Sequence, residues 1–327
     1  MRFPAPQPKL SIVIPCYNQA ASLDETLARL VFQTLPKDDF EVIVVDDGSS
    51  DATKAVVSSF AGPYRLRFFS QDHQGAAASR NLGAANALGE LLLFLDADMI
   101  AEPDLLSEHL KCHAMREKTI VIGRRKAWPP AQKYLFSKVI DIDSNVPDSL
   151  DESKSITYRE AFTCNLSVKA SDFWVLAGFD IHIHRWEDID FAYRAHKRDF
   201  AFQYNPGALA YHNHPISFRE YCRKMYDHYF VSVPLFTKHP GMIDHFMYLA
   251  DKRPIHWGQD SMGMICRKVA RRLIAFTPVL YLTESLTALI ERLYGKASLL
   301  RFLYWKIIAS YELRGLQDGF KEYRVSL

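Results

Sequence analysis

Short apolar runs alternate with helical spacings through the first hundred positions of the chain. Leu10–Ile14 is an apolar run closed by Pro15 and predicts a first strand. Over Ala20–Phe32 the apolar residues Leu23, Leu27, Leu30 and Val31 fall at helical intervals, with Ser22 as an expected N-cap and Glu25 completing a capping box. Glu41–Val45, Leu66–Ser70 and Leu91–Leu95 predict further strands, and Ala52–Phe60 and Ala76–Leu88 the helices between them. The run Leu91–Leu95 has no polar face, so it predicts a strand covered on both sides, as in a parallel sheet. Strand and helix alternating in this way specify an α/β fold with a mostly parallel, Rossmann-like central sheet flanked by helices.

The pattern weakens after Gly123. Residues 123–162 hold the basic run Arg124–Lys126, a Trp128–Pro129–Pro130 break and a polar stretch at Asp141–Lys154, which reads either as a lid over a site or as a surface excursion. Strands are expected again at Thr163–Val168, Phe202–Tyr204 and Ala208–His212, with a helix from Ile189. These elements divide the chain into a sheet domain over 1–215 and a helical region over 216–327. In the helical region Ser217–Phe236 is a predicted helix, and Arg219, Arg223 and Lys224 are candidates to reach a phosphate. Cys266–Leu273 is basic and amphipathic, and the helix around Leu299–Ile308 is rich in aromatic residues. The intruding acids Glu284 and Glu291 keep this region short of the ~20 apolar residues of a spanning helix. Helices of this type fit contact with an anionic membrane surface, packing on the sheet domain, or a homodimer.

Composition adds little to fold class, but it narrows compartment and partners. At 327 residues and 48% hydrophobic the chain is an ordinary globular protein, and its net charge of +2 gives no reason to expect a nucleic acid partner. The charge is nonetheless uneven, because Ile265–Leu327 carries eleven Lys or Arg against five Asp or Glu. The five cysteines are scattered without CxxC spacing, and Met1–Lys9 has no apolar h-region. Both features lead us to expect a cytoplasmic protein, peripheral on the inner face of the membrane if the tail docks there.

The candidate chemistry lies beyond the predicted strand ends, where open α/β sheets bind ligands. Asp96 and Asp98 follow Leu95 at i, i+2 spacing, and two carboxylates so close call for a cation such as Mg²⁺ or Mn²⁺. Asp46 and Asp47 follow the second strand, where either can accept a base N–H or merely hold the turn. Tyr17, after Pro15, offers a flat face to the same base; Gln71 follows the third strand, and Arg80 can pair with a phosphate or with an acid. The first turn, Pro15–Gln19, lacks the glycines of a dinucleotide fingerprint, and GxxxxGK[ST] is absent. Further on, Gly178–Phe179–Asp180 leads to Trp186–Glu187–Asp188, where Asp188 serves either as an N-cap or as a base, and Trp186 can pack on a sugar face. His212 and His214 follow the last strand as candidate metal or phosphate contacts.

Taken in order, Val13–Asn18, Val44–Ser49, Arg80–Asn81, Leu95–Asp98 and Glu187–Asp188 resemble the family 2 glycosyltransferases of the GT-A fold over roughly residues 9–215. That resemblance implies a metal-dependent, inverting transferase of the hexosyl or N-acetylhexosaminyl class. It would move sugar from a UDP-sugar to the hydroxyl of a saccharide, lipid-linked glycan or peptide in glycan or polysaccharide assembly. Donor contacts are then expected from Pro15, Tyr17, Asp46, Asp47, Gln71, Arg80, Asp96, Ala97 and Asp98. Metal ligation is expected from Asp98, His212 and Asp96, acceptor contacts from Trp186, Gly178 and Phe179, and the base from Asp188 with Glu187 beside it. A sugar-1-phosphate nucleotidyltransferase and a non-catalytic nucleotide-binding scaffold are the alternatives. The first wants a Gly-rich basic turn that Pro15–Gln19 lacks, and the second has no use for so many carboxylates at strand ends.

Overall fold

A computed structural model describes residues 7–143, 156–242, 255–293 and 297–325 of the chain. The polar stretch expected at 141–154 therefore lies almost wholly outside the described residues. The chain forms two compact units, Met1–Ala131 with Ile142–His214, and Gln132–Asp141 with Pro215–Leu327.

In the first unit the strands β1 (Leu10–Cys16), β2 (Phe40–Asp46), β3 (Arg65–Ser70) and β4 (Leu91–Leu95) alternate with helices α1 (Ala20–Leu30), α2 (Thr53–Ser59) and α3 (Ala76–Ala85). There follow β5 (Met99–Ala101), α4 (Leu105–Met115), β6 (Thr119–Ala127), β7 (Asn165–Lys169), α6 (Ala170–Val175), α7 (Glu187–His196) and β8 (Ala201–His212); the short α5 (Leu135–Val139) is part of the second unit. The sheet order is β3-β2-β1-β4-β7-β6-β8-β5. β1 to β4 are mutually parallel, and β6 is parallel to β8, whereas β7 runs antiparallel to β4 and β6, and β5 antiparallel to β8. This is a mixed, mostly parallel eight-stranded sheet. β4 is apolar throughout because both its faces are covered: every residue of Leu91–Leu95 is buried.

Several local expectations are corrected. α1 is capped by Gln19 without a side-chain bond, because the Ser22 hydroxyl donates to the Gln19 carbonyl from inside the helix rather than closing a capping box. The basic run Arg124–Lys126 belongs to β6, not to a loop. The two strands expected around Asn205–Pro206–Gly207 are one strand, β8, whose register against β6 slips between Gly123 and Arg124. Asn165 holds this bulge, donating to the Arg124 and Ala208 carbonyls at 3.2 and 2.9 Å. A side chain at Gly123 would strike the Asn165 amide, so close packing explains that glycine. Asn165 opens a sequon, but it is fully buried and bonded to His109, which removes it as a surface acceptor.

The second unit is helical. It contains α5, α8 (Phe218–Phe230), α9 (Val233–Lys238), α10 (Met262–Ala275), α11 (Thr277–Leu293) and α12 (Ala297–Glu322). α8 begins with a capping box from Ser217 and Glu220, and the helix expected over Ser217–Phe236 breaks at Val231–Ser232. α11 is continuous because Pro278 sits in its first turn, where no hydrogen-bonding N–H is required. Arg219 and Arg223 line a cavity of about 860 Å³ within this unit, together with Phe136, Tyr226, Glu284 and Arg314. No described helix is long and apolar enough by itself to cross a membrane. α10 and α11 reach that composition together but are bent by 80°.

Candidate active site

The carboxyl ends of β1, β2 and β4 carry the first group of predicted residues to one end of the sheet. Asp47, just past β2, is buried, and its carboxylate accepts from Gln71 Nε2 at 2.7 Å, from the Gln74 N–H at 3.0 Å and from the Gly75 N–H at 2.8 Å. His73 Nδ1 lies 2.8 Å from the same carboxylate. Burial opposes ionisation of Asp47, but these donors outweigh it and hold its pKa below the usual carboxylate range. Both oxygens are thus occupied by the β3–α3 loop, so a base accepted here would have to replace one of those donors. Gly75, at φ 95°, supplies one of the N–H groups from a backbone conformation that favours glycine. Asp46 accepts from the Ser49 N–H, which makes it a turn-holding residue. Tyr17 is the open member of the group, half exposed and stacked on His73 at 4.3 Å. Pro15 is paired with Val45 in the sheet.

Beyond β4 the two acids part company. The strand ends at Leu95 and the chain turns, with the Met99 N–H donating to the Asp96 carbonyl, so i, i+2 spacing no longer puts both side chains on one face. Asp96 turns to Arg80, with Nη2 at 2.8 Å. The other arm of Arg80 reaches Glu187 at 2.6 Å. Asp98 turns instead to His212 Nε2 at 3.2 Å and His214 Nδ1 at 3.7 Å. One ligand atom from each of Asp98, His212 and His214 lies within 4.8 Å of the others, the only such grouping among the described residues. A carboxylate with two imidazoles suits Mn²⁺ or another borderline divalent ion. Asp96, expected in that shell, is committed to Arg80, and His214 stands in its place. Ala97 between them is buried, its carbonyl accepting from Thr26.

His212 also has a partner on its other nitrogen, Asp143 Oδ1 at 2.5 Å, which no sequence motif indicated. A carboxylate behind a ligating histidine is the usual way of fixing its ring and tautomer. Burial disfavours the charged ring, yet the bonds to Asp143 and Asp98 prevail and push its pKa up to about 9.

The third group comes from α7. Its first residue follows Trp186, which lies in the left-handed region at φ 69° and is largely buried, so little of its ring is open to a sugar. Gly178 at φ 62° makes the turn before it, and Arg194 ties that loop down by donating to the Gly178 carbonyl at 2.7 Å. Phe179, expected at the acceptor, is instead a core residue, 2% exposed and packed among Phe94, Phe173 and Phe191. Asn81 fixes it in both directions, donating to its carbonyl and accepting from its N–H. Asp188 is neither an N-cap nor ion-paired by a hydrogen bond. It is the second helical residue, partly exposed, and accepts from the Ile189 N–H at 2.8 Å. Burial first, and the neighbouring Glu187 charge second, push its pKa up to about 7 against the pull of Arg80. A carboxylate poised near neutrality suits general-base chemistry.

The Glycosyl transferase family 2 sequence profile matches residues 11–150. Validoxylamine A glucosyltransferase of Streptomyces hygroscopicus subsp. jinggangensis is 36% identical over 217 residues, 58% of this chain and 51% of that protein. The chondroitin synthase of Escherichia coli is 31% identical over 239 residues, 63% of this chain and 35% of that protein. The chain thus spans about half or less of the length of these relatives. Among solved structures, the mannosyltransferase PcManGT of Pyrobaculum calidifontis, in complex with GDP-Man and Mn²⁺, superposes with a TM-score of 0.60 at 20% identity, covering 93% of this chain and 86% of that one. Residues 1–349 of S. aureus TarS, in complex with UDP, give 0.53 at 17% identity, over 97% of this chain and 91% of that one. These likenesses show a GT-A-like fold. The chain carries a Glycosyl transferase family 2 domain.

Proposed function

We propose that the chain transfers a sugar from a UDP-sugar to an acceptor hydroxyl with inversion at the anomeric carbon. The observation that carries this reading is the Arg80 fork, which ties Glu187, the neighbour of the neutral-poised Asp188, to Asp96, two residues before Asp98 of the Asp98–His212–His214 trio. In the reaction the acceptor oxygen forms a bond to the anomeric carbon. Its proton passes to an Asp188 oxygen, and the bond to the diphosphate breaks with its electrons on the leaving oxygen. One base on the acceptor side suits a single displacement, hence inversion. Asp98, His212 and His214 would hold a divalent cation, which when bound supplies positive charge opposite the departing diphosphate. Tyr17 offers the nucleobase of the donor an exposed aromatic face beyond β1. The nucleotides that the neighbours bind, UDP-GlcNAc in TarS and GDP-Man in PcManGT, support a nucleotide diphosphate sugar with a hexosyl or N-acetylhexosaminyl group, and the glucosyltransferase relative favours hexosyl transfer.

Thermal-shift titration with UDP- and GDP-sugars, with and without Mn²⁺, tests the donor class. A Mn²⁺-dependent rise in Tm with UDP compounds is expected, together with slow UDP-sugar hydrolysis that disappears in Asp98→Ala. Absence of any shift with UDP compounds overturns the donor assignment. Asp143 allows a separate check on the cation site that does not depend on turnover. Asp143→Ala frees the His212 ring to rotate, so Mn²⁺ affinity measured by calorimetry should fall by about 10- to 100-fold. Asp143→Asn, which keeps a hydrogen-bonding oxygen, should lose less. Equal affinities in all three proteins would remove Asp143 from the cation site.

A further inference from the structure

The second unit leaves an unusual surface on α10, α11 and α12. On α11, Val279, Leu282, Leu286, Leu289 and Leu293 recur at intervals of three and four residues, which places them on one stripe of the helix, and all five are exposed. Leu282 is 70% exposed, well beyond the scattered surface leucine that needs no explanation. α10 adds exposed Met262, Val269 and Leu273, the α10–α11 junction exposed Phe276, and α12 exposed Phe302 and Trp305. Charge on α10, α11 and the first half of α12 is one-sided, the acids of α12 (Glu312, Asp318 and Glu322) lying in its second half. Arg267, Arg292, Arg301 and Lys306 are exposed. The acids of α11, by contrast, are engaged by tyrosines: Glu284 accepts from Tyr311 at 2.6 Å, and Glu291 from Tyr304. At the start of α10, Asp260 is paired with the buried Lys268 at 2.7 Å.

We infer that this surface docks on an anionic lipid bilayer. The apolar stripes enter the interfacial layer and the arginines and lysines meet lipid phosphates and carboxylates. Trp305 and Phe302 between Arg301 and Lys306 have the composition of an interfacial anchor, an apolar body with cationic neighbours on long stems. The competing occupant is a second copy of the chain, since a stripe at intervals of three and four also suits helix pairing. Such pairing is specified by opposite charges flanking the seam, and the flanking positions here are Thr283, Ser285, Ile290 and Arg292, with no acid among them. A two-fold contact would therefore offer Arg292 no acid across the seam, whereas an anionic bilayer satisfies the apolar stripe and the cations together.

Flotation of the full chain with liposomes tests this, using neutral phosphatidylcholine vesicles and vesicles with phosphatidylserine added. Binding is expected to the anionic vesicles only, weakening as salt is raised. The exposed pair Leu282→Glu with Leu286→Glu should lower partitioning at least about tenfold with the thermal midpoint kept. Arg267→Gln should lower it about fivefold, consistent with one cation's worth of surface attraction. No flotation with anionic vesicles, or equal flotation with neutral ones, overturns the inference. So does a dimer by light scattering that dissociates in the Leu282→Glu, Leu286→Glu variant while vesicle binding is unaffected.

Discussion

Asp188→Asn should lower kcat by about 10²- to 10⁴-fold while leaving the affinity for the nucleotide sugar unchanged. The substitution is nearly isosteric, and the amide oxygen can still accept from the Ile189 N–H, so the start of α7 is preserved. What disappears is a group able to take the proton from the acceptor hydroxyl. A pH profile separates this from a packing defect. Burial and the Glu187 charge push the Asp188 pKa up to about 7, so the carboxyl is mostly neutral below that pH and charged above it. A base works only when charged, so kcat/KM of the natural protein should climb with pH and level off above about 7, with a single ionisation on the acid limb. In Asp188→Asn the residual rate should lose that limb. A variant that keeps more than a tenth of kcat, or retains the limb, assigns the base elsewhere.

The parts of this site that sequence revealed are those whose meaning is local. Leu91–Leu95 announces a doubly covered strand because burial on both faces demands five apolar residues in a row, and the structure buries all of them. Asp96 and Asp98 stand out as carboxylates at a strand end. Their separate allegiances did not, because side-chain alternation holds only while the strand continues, and β4 stops one residue earlier. β6 was hidden for a related reason. Arg124–Lys126 looks like a polar excursion, but Arg125 is a sheet residue that donates to the Asp143 carbonyl and the Cys164 sulfur. Asp143 carried no signal, since its role depends on a histidine 69 positions away. Phe179 was placed at the acceptor because a motif puts it near the acids, whereas its own apolar surface takes it into the core.

Arg80 is the residue whose loss should be felt most in stability. It joins the end of β4 to the start of α7, bridging Asp96 and a glutamate 107 positions away. Its guanidinium is buried and Glu187 nearly so, whereas Asp96 is about one-third exposed. Burial disfavours the charge on Arg80, but the two carboxylates overcome that and hold it more firmly protonated than an arginine in water. Removing one partner of such a buried group is far more costly than the pair's net contribution, because the carboxylates remain without a counter-ion. Arg80→Ala should therefore destabilise by about 3 kcal/mol, the lower end of the range for broken buried pairs, since water can reach Asp96. Urea unfolding should show this as a lower midpoint with an unchanged m-value. Glu187→Gln should cost less, and in the Arg80→Ala background it should recover part of the loss, because it removes one of the stranded charges. The same substitution has a second, independent consequence. Arg80 pulls the Asp188 pKa down, so without it the acid limb of kcat/KM should move above pH 7, with the limb's slope preserved. An unchanged urea midpoint together with an unmoved limb would show that the fork neither holds α7 in place nor tunes its carboxylate.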